Sequence, residues 1–156
     1  MKVIPHLWFE KDMESALRLY TSLIPGSKIE SLNTLPAETP SGPPGSVKIA
    51  SFMLGDQHYR GLEAGPLDAF NHSFSIIVEC DSQSEIDKLW AALGEDGTIE
   101  QCGWLKDRWG LSWQILPRQL GELINDRDPA KAQRVTQAML KMVKLDIAAL
   151  EAAARE

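Results

Sequence analysis

Apolar and polar positions along the chain predict two blocks with the same order of elements. Residues 3–9 are mostly apolar and predict a strand. A helix capped by Asp12 follows, because apolar residues recur at helical spacing and share one face: Met13, Ala16, Leu17, Tyr20, Leu23 and Ile24. Pro25 and Gly26 end this helix.

The remainder of the first block predicts three strands. Lys28–Leu35 forms the first of them, and Val47–Leu54 and His58–Ala64 flank a Gly55-Asp56 hairpin turn. Residues 36–45 lie between, and their four prolines and two glycines exclude regular structure. We expect this segment to be a mobile loop that could close over a ligand, with disorder as the alternative.

The second block repeats this order weakly. Ser73–Cys80 predicts a strand, and Asp81 or Ser82 begins a helix whose aligned apolar residues are Ile86, Leu89, Trp90 and Leu93. A shift of 70 residues superimposes the two helices, and a shift of 51 places Asp56 on Asp107 and Glu63 on Gln114. We therefore predict duplicated βαβββ modules at 3–64 and 72–117.

Residues 118–156 have no counterpart in the first block and predict a helical extension. Arg118–Asn125 forms a short helix, Asp128 and Pro129 open a second, and Asp146 caps a third. Such helices would cover a sheet edge or a partner subunit. The length of 156 residues indicates one domain covering the whole chain.

Composition narrows the possible partners and location. The net charge is −6 and no Lys/Arg block occurs, which argues against nucleic acid as a partner. No apolar run approaches the ~20 residues needed to cross a membrane. The N-terminal segment does not resemble a secretory signal, so we expect a cytoplasmic protein. Cys80 and Cys102 are expected to be reduced structural thiols.

Four segments together resemble the PhnB-like family of the vicinal-oxygen-chelate (glyoxalase/bleomycin-resistance) superfamily. They are IPHLWFEKDMESALRLYTSLIPGSKI, SFMLGDQHYRGLEAGPLDAFNHSFSIIVEC, QCGWLKDRWGLSWQILP and AKAQRVTQAMLKMVKLDIAALEAA. The resemblance implies an α+β fold, in which paired βαβββ modules curve a mixed sheet around a cavity, and a homodimer. Some members are described as 3-demethylubiquinone methyltransferases, but this chain has no glycine-rich strand-to-helix turn for a nucleoside cofactor.

The resemblance also indicates where a metal would bind. Metal-using members take His and Glu ligands from the first and last strands of each module, which correspond to Pro5, Ser75, Glu63 and Gln114. Only Glu63 is a good ligand for a divalent metal, so we expect no metal and no cofactor. The alternative is a divalent-metal lyase, isomerase or dioxygenase that uses Glu63 and His6, although His6 is expected on the helix side of its strand or at a sheet edge.

The expected function is binding of a small molecule in a metal-free cavity, and whether the protein is an enzyme stays open. Glu63 is the candidate general base, with a Glu63–Gln114 hydrogen bond as the alternative. Trp104 and Trp109 flank a Lys106-Asp107-Arg108 turn that is expected to be solvated, with Asp107 accepting backbone N–H bonds that fix its shape as the alternative. A structural dimer without a ligand is the third hypothesis. The expected ligand-contacting residues are Phe9, Glu63, Ser75, Gln114, Trp104 and Trp109.

Overall fold

The computed structural model describes residues 1–155, which form two compact units. The first unit is Met1–Ala69 and the second begins at Phe70. The order βαβββ occurs once in each unit, and three further helices complete the second. The fold is therefore α+β, with two open four-stranded mixed sheets and C-terminal helices, which confirms the predicted fold class.

The first unit has one helix and one sheet. Its elements are β1 (His6–Phe9), α1 (Met13–Leu23), β2 (Lys28–Thr34), β3 (Lys48–Leu54) and β4 (Gln57–Glu63). The strand order is β1-β4-β3-β2, in which β1 runs parallel to β4 and the other pairs are antiparallel.

Helix α1 covers one face of this sheet. A Cβ atom added at Gly61 would lie 2.7 Å from the Sδ atom of Met13, so Gly61 faces the helix. Leu7 pairs with Gly61 in parallel register and shares that face, where it is buried. Side chains alternate along a strand, so His6 and Trp8 lie on the opposite face. His6 therefore does not face the helix, and the alternative expectation, an edge position, agrees with the place of β1 at the edge of the sheet.

The Pro-rich loop, residues 36–45, is bonded at its base. The amide of Gly45 donates to the carbonyl of Leu35 at 2.8 Å, and the amide of Leu35 donates to the carbonyl of Val47 at 2.9 Å. Thr39 and Gly42 exchange backbone hydrogen bonds within the loop. These contacts close the loop at its two ends, and its role as a lid stays a prediction.

The second unit repeats the arrangement and adds the C-terminal helices. Its elements are β5 (Ser75–Cys80), α2 (Gln83–Gly94), β6 (Thr98–Ile99), β7 (Trp104–Lys106), β8 (Ser112–Pro117), α3 (Leu120–Ile124), α4 (Pro129–Leu140) and α5 (Ile147–Arg155). The strand order is β5-β8-β7-β6, and β5 runs parallel to β8.

Helix α2 covers the face that carries Trp113. Its buried residues are Ile86, Leu89 and Leu93, as the sequence predicted, whereas Trp90 is only half-buried. Leu105 and Trp113 pair across β7 and β8, and both are fully buried. Ser82 caps this helix, because its Oγ atom accepts from the amide of Glu85 at 3.2 Å.

The C-terminal helices build a small core of their own. Leu120, Val135, Leu145 and Leu150 are buried together, and Leu116 of β8 packs against them. Asp128 and Asp146 accept backbone N–H groups at the starts of α4 and α5, as predicted. No helix within residues 1–155 has the length and apolar character to cross a membrane. Both cysteines are free thiols.

Candidate functional site

Three of the expected ligand-contacting residues share one face of the second sheet. Trp104 pairs with Gln114 between β7 and β8, so both lie on the face turned away from Trp113 and α2. The Nε2 atom of Gln114 donates to the Oγ atom of Ser75 at 2.9 Å. We call this surface the distal face and define it by Ser75, Ile77, Thr98, Trp104, Lys106, Ser112 and Gln114.

Ser112 is the most unusual residue of the distal face. It is fully buried, and its Oγ atom has no hydrogen-bond partner within residues 1–155. A buried hydroxyl without a partner costs about 1–3 kcal/mol, so native proteins rarely retain one without a reason. Ser112 was not among the expected ligand-contacting residues, although it lies two residues before Gln114 and therefore on the same face of β8.

A histidine–carboxylate pair borders the distal face. The Nε2 atom of His72 lies 2.6 Å from the Oε2 atom of Glu100, and the His72 and Trp104 ring centroids are 6.1 Å apart. His72 precedes β5 at one edge of the sheet, whereas Glu100 follows β6 at the other edge. The His72–Glu100 contact therefore links the two edges of the second sheet on the side that carries Trp104. Neither His72 nor Glu100 was among the expected ligand-contacting residues.

Apolar groups complete the surface. Ile77 of β5 is 53% exposed and pairs with Gln114, so it lies on the distal face opposite Trp104. Leu116 continues this face along β8, where the C-terminal helices cover it. The amides of Cys102 and Gly103 donate to the carbonyls of Met142 and Val143, which holds the C-terminal segment against this end of the sheet.

Glu63 and Phe9 occupy a different environment in the first unit. They pair with each other in β1 and β4 and lie on the face that α1 covers. Phe9 is 1% exposed and belongs to the core beneath α1. The Oε2 atom of Glu63 accepts from the amide of Met13 at 2.9 Å, and its Oε1 atom lies 3.1 Å from the Nζ atom of Lys48. Both carboxylate oxygens are therefore engaged, and Glu63 caps α1.

This capping by Glu63 replaces the predicted cap. Asp12 occupies the position before α1, but its φ of 58° places it in the left-handed region and its side chain makes no cap hydrogen bond. The amide of Met13, the first of the helix, instead donates to the carboxylate of Glu63, the last residue of β4. The prediction that Asp12 caps α1 is wrong, because the local backbone turns the Asp12 side chain away from the helix end.

Different connection lengths explain why the repeat misplaced Glu63. Two residues separate the buried Phe9 from Asp12 before α1, whereas only Asp81 separates the buried Cys80 from Ser82 before α2, so the 70-residue shift exchanges the faces of the first strands. The hairpin that leads to the last strand has two linking residues, 55–56, in the first unit and five, 107–111, in the second. The 51-residue shift therefore places Glu63, which faces α1, on Gln114, which faces away from α2.

The turn after β7 is built around a buried carboxylate. Asp107 is 3% exposed, and its Oδ1 atom accepts from the amides of Trp109 and Leu111 at 2.9 and 3.1 Å. Its Oδ2 atom accepts from the indole Nε1 of Trp113 at 2.9 Å. Asp107 is therefore not solvated, and the alternative expectation, that it accepts backbone N–H bonds and fixes the turn, is confirmed. The Arg108 guanidinium lies 5.3 Å from the Trp109 ring centroid, within cation–π range.

Potential metal ligands are dispersed. Residues 1–155 contain no group of three or more His, Cys, Asp or Glu side chains placed to hold a metal ion. His58 pairs with Glu30 through Nδ1 at 3.4 Å, and Glu30 also accepts from the hydroxyl of Ser51. The donor set described here does not fit the His/Glu ligand set that metal-using members of the superfamily employ.

Comparison with protein families gives a match over most of the chain. The family described as 3-demethylubiquinone-9 3-methyltransferase matches residues 1–116. Helices α3–α5 lie beyond the matched residues. No curated protein sequence matches the chain.

A search of solved structures agrees with this family match. A PhnB protein from Bacillus cereus, provisionally described as a 3-demethylubiquinone-9 3-methyltransferase, is 31% identical, with 75% of this chain and 99% of that chain covered and a TM-score of 0.66. PA1353 from Pseudomonas aeruginosa is 21% identical over 75% and 97% of the two chains, with a TM-score of 0.57. The fosfomycin resistance protein FosX from Mesorhizobium loti, 11% identical over 74% and 90%, has a TM-score of 0.52 and shares the fold alone.

Proposed function

The chain belongs to the PhnB-like, 3-demethylubiquinone-9 3-methyltransferase-like family of the vicinal-oxygen-chelate superfamily, and we propose that it binds a small organic molecule on the distal face of the second sheet. The observation that carries the proposal is the Ser112 hydroxyl, which is buried and lacks a partner among residues 1–155. A ligand atom that reaches this hydroxyl, once the side chains that cover it move aside, would recover the free energy that its isolation costs.

The neighbours of Ser112 supply the other contacts that such a molecule needs. Gln114 uses Nε2 to bond Ser75, which leaves the amide oxygen as an acceptor for a ligand. Trp104 and Ile77 flank Gln114 on the same face and offer apolar surface. Small-molecule sites typically combine such apolar surface with a few placed polar groups.

Neither methyl transfer nor metal chemistry is part of the proposal. The connections Glu10-Lys11-Asp12 and Asp81-Ser82 join strand to helix without a glycine, so neither offers the glycine-rich phosphate cradle of a nucleoside cofactor. Glu63, the candidate base and metal ligand, has both oxygens bound to Met13 and Lys48. We therefore derive no catalytic step through a metal or through Glu63. The homodimer stays a prediction, which analytical ultracentrifugation would test.

The proposal is tested by NMR titration of the protein with benzoate, benzamide and phenol. We expect amide and indole shifts at Ser75, Ser112, Gln114 and Trp104 to exceed those elsewhere. No response to any probe, or a response centred in the first sheet, contradicts the proposal.

Ser112→Ala separates binding from folding. Removal of a buried hydroxyl without a partner leaves the free energy of unfolding unchanged or raises it. The same substitution is expected to weaken binding of a responding probe about tenfold, which corresponds to one hydrogen bond. Ser51→Ala, in the first sheet, is the matched control and should leave binding unchanged. A destabilised Ser112→Ala protein would show that the hydroxyl supports the fold instead.

A further inference from the structure

The distal face carries a row of hydrogen-bond donors that runs across all four strands. Ser75 pairs with Ser112, Ser112 with Lys106, and Lys106 with Thr98. Register partners share a face, so three hydroxyls and one ammonium group line up from β5 to β6. Neighbouring strands lie about 4.8 Å apart, so the row spans ~14 Å.

Lys106 is the charged member of this row and lacks a counter-charge. It is half-buried, yet no carboxylate within residues 1–155 lies within ion-pair distance of its ammonium group. Four other lysines are paired, and those without an ion pair within residues 1–155 (Lys2, Lys11, Lys88 and Lys141) are exposed, so Lys106 differs from them by its partial burial. A partly desolvated ammonium without a partner is stabilised by a bound anion, because opposite charges attract more strongly where water is displaced.

The next row of the distal face suits an apolar ligand body. Ile77, Gln114 and Trp104 are register partners, two residues along each strand from Ser75, Ser112 and Lys106. The two rows are therefore about 6.6 Å apart, roughly the width of one aromatic ring with its substituent. A molecule with its anionic group at the first row would place a flat body against Trp104 and Ile77.

The acidic groups on the same side do not oppose an anion at the first row. Glu100 lies beside Trp104 and is bonded to His72, 2.6 Å away. Glu79 pairs with Leu116, four residues along β5 from Ser75 and thus ~13 Å away. Asp107 follows Lys106 but points to the opposite face, where it bonds the indole of Trp113.

We propose that the ligand of the distal face is a small organic anion, with a carboxylate-type group at Ser75, Ser112 and Lys106 and a flat apolar body against Trp104 and Ile77. This inference rests on the proposed function and specifies the ligand class. The single ammonium group selects a monoanion.

The test compares benzoate with benzamide, which has the same shape without the charge. The wild-type protein is expected to bind benzoate at least ~10-fold more tightly than benzamide, since a charge-assisted hydrogen bond exceeds a neutral one. Lys106→Met should abolish this preference and Lys106→Arg should retain it. Lys88→Met, an exposed position on α2, is the charge-matched control and should behave as the wild type.

The outcomes separate the inference from the proposed function. Equal affinity for benzoate and benzamide, with shifts that still centre on Ser112 and Trp104, would overturn the anion inference and leave the binding face intact. A benzoate preference that persists in Lys106→Met would also overturn it. If benzoate does not bind, the inference fails, and if phenol and benzamide also do not bind, the proposed function fails with it.

Discussion

The two units share the order βαβββ but begin their helices by different means. In the second unit Ser82 caps α2 locally, and the Glu85 carboxylate returns to the amide of Asp81 at 2.7 Å. In the first unit the cap of α1 comes from Glu63, fifty residues away on β4. A local cap needs only its own turn, whereas a distant cap ties helix formation to the assembly of the sheet. A carboxylate that sequence analysis suggests as catalytic thus acts in folding.

The hairpin turns show the largest difference between the units. Asp56 and Asp107 correspond in the repeat, but Asp56 is exposed whereas Asp107 is buried and accepts three hydrogen bonds. We expect Asp107→Ala to lower the free energy of unfolding by about 3 kcal/mol, because the substitution leaves buried N–H donors without an acceptor. Asp56→Ala is the matched control and should change it by less than ~0.5 kcal/mol. Urea denaturation measures both, and equal effects would contradict the contrast.

The distant cap gives the next largest effect. Glu63→Ala is expected to lower the free energy of unfolding by about 1–2 kcal/mol, because the amide of Met13 loses its acceptor. Lys48→Met removes only the partly exposed ion pair and should cost less than ~1 kcal/mol. Chemical denaturation provides the comparison. If the lysine variant is as unstable as the glutamate variant, the ion pair and not the cap is the important contact.

The cap of α2, which comes from its own turn, gives the converse test. Ser82→Ala should cost about 1 kcal/mol, a typical value for loss of an N-cap hydroxyl. Hydrogen exchange should show faster opening confined to the first turn of α2, because the effect of a local cap does not reach the sheet. Ser84→Ala, inside the same helix and exposed, is the control. Faster exchange across β8 would show that this cap also depends on the sheet.

The first strand of each unit ends in a buried residue, and only the one in the second unit titrates. Phe9 is the last buried residue of β1 and Cys80 that of β5. Burial, with smaller contributions from Glu85 and Asp81, raises the pKa of the Cys80 thiol from 9.0 to about 11. The folded protein therefore holds this proton more tightly than the unfolded chain, so the contribution of this thiol to stability is constant below pH 9 and is lost between pH 9 and about 11.

This decline is measured as a difference between proteins, since tyrosines and lysines titrate in the same range. Cys80→Ala should flatten the fall in the free energy of unfolding between pH 8.5 and ~10.5 relative to the wild type. Cys102→Ala is the control and should keep the wild-type slope. Identical slopes in all three proteins would contradict the raised pKa of Cys80.

Much of the candidate site could be predicted from the alternation of side chains within single strands. Gln114 and Trp104 were both expected to contact a ligand, and the structure places them in register on one face. Ser112 follows from Gln114 by the two-residue period of a strand. The His72–Glu100 pair was not accessible, because no local pattern indicates that a residue before β5 reaches one after β6.

The sequence by itself determined the element order, the fold class and the family, because hydrophobic period and turn residues act over a few neighbouring positions. It also determined the caps of α4 and α5, which are local contacts. Only the tertiary structure decided which face of each strand the helix covers, since the connections before the helices and within the last hairpins differ in length between the units, and an odd difference reverses the sides. As a result Glu63 lies at a helix end, whereas Ser112, Gln114 and Lys106 lie on the distal face.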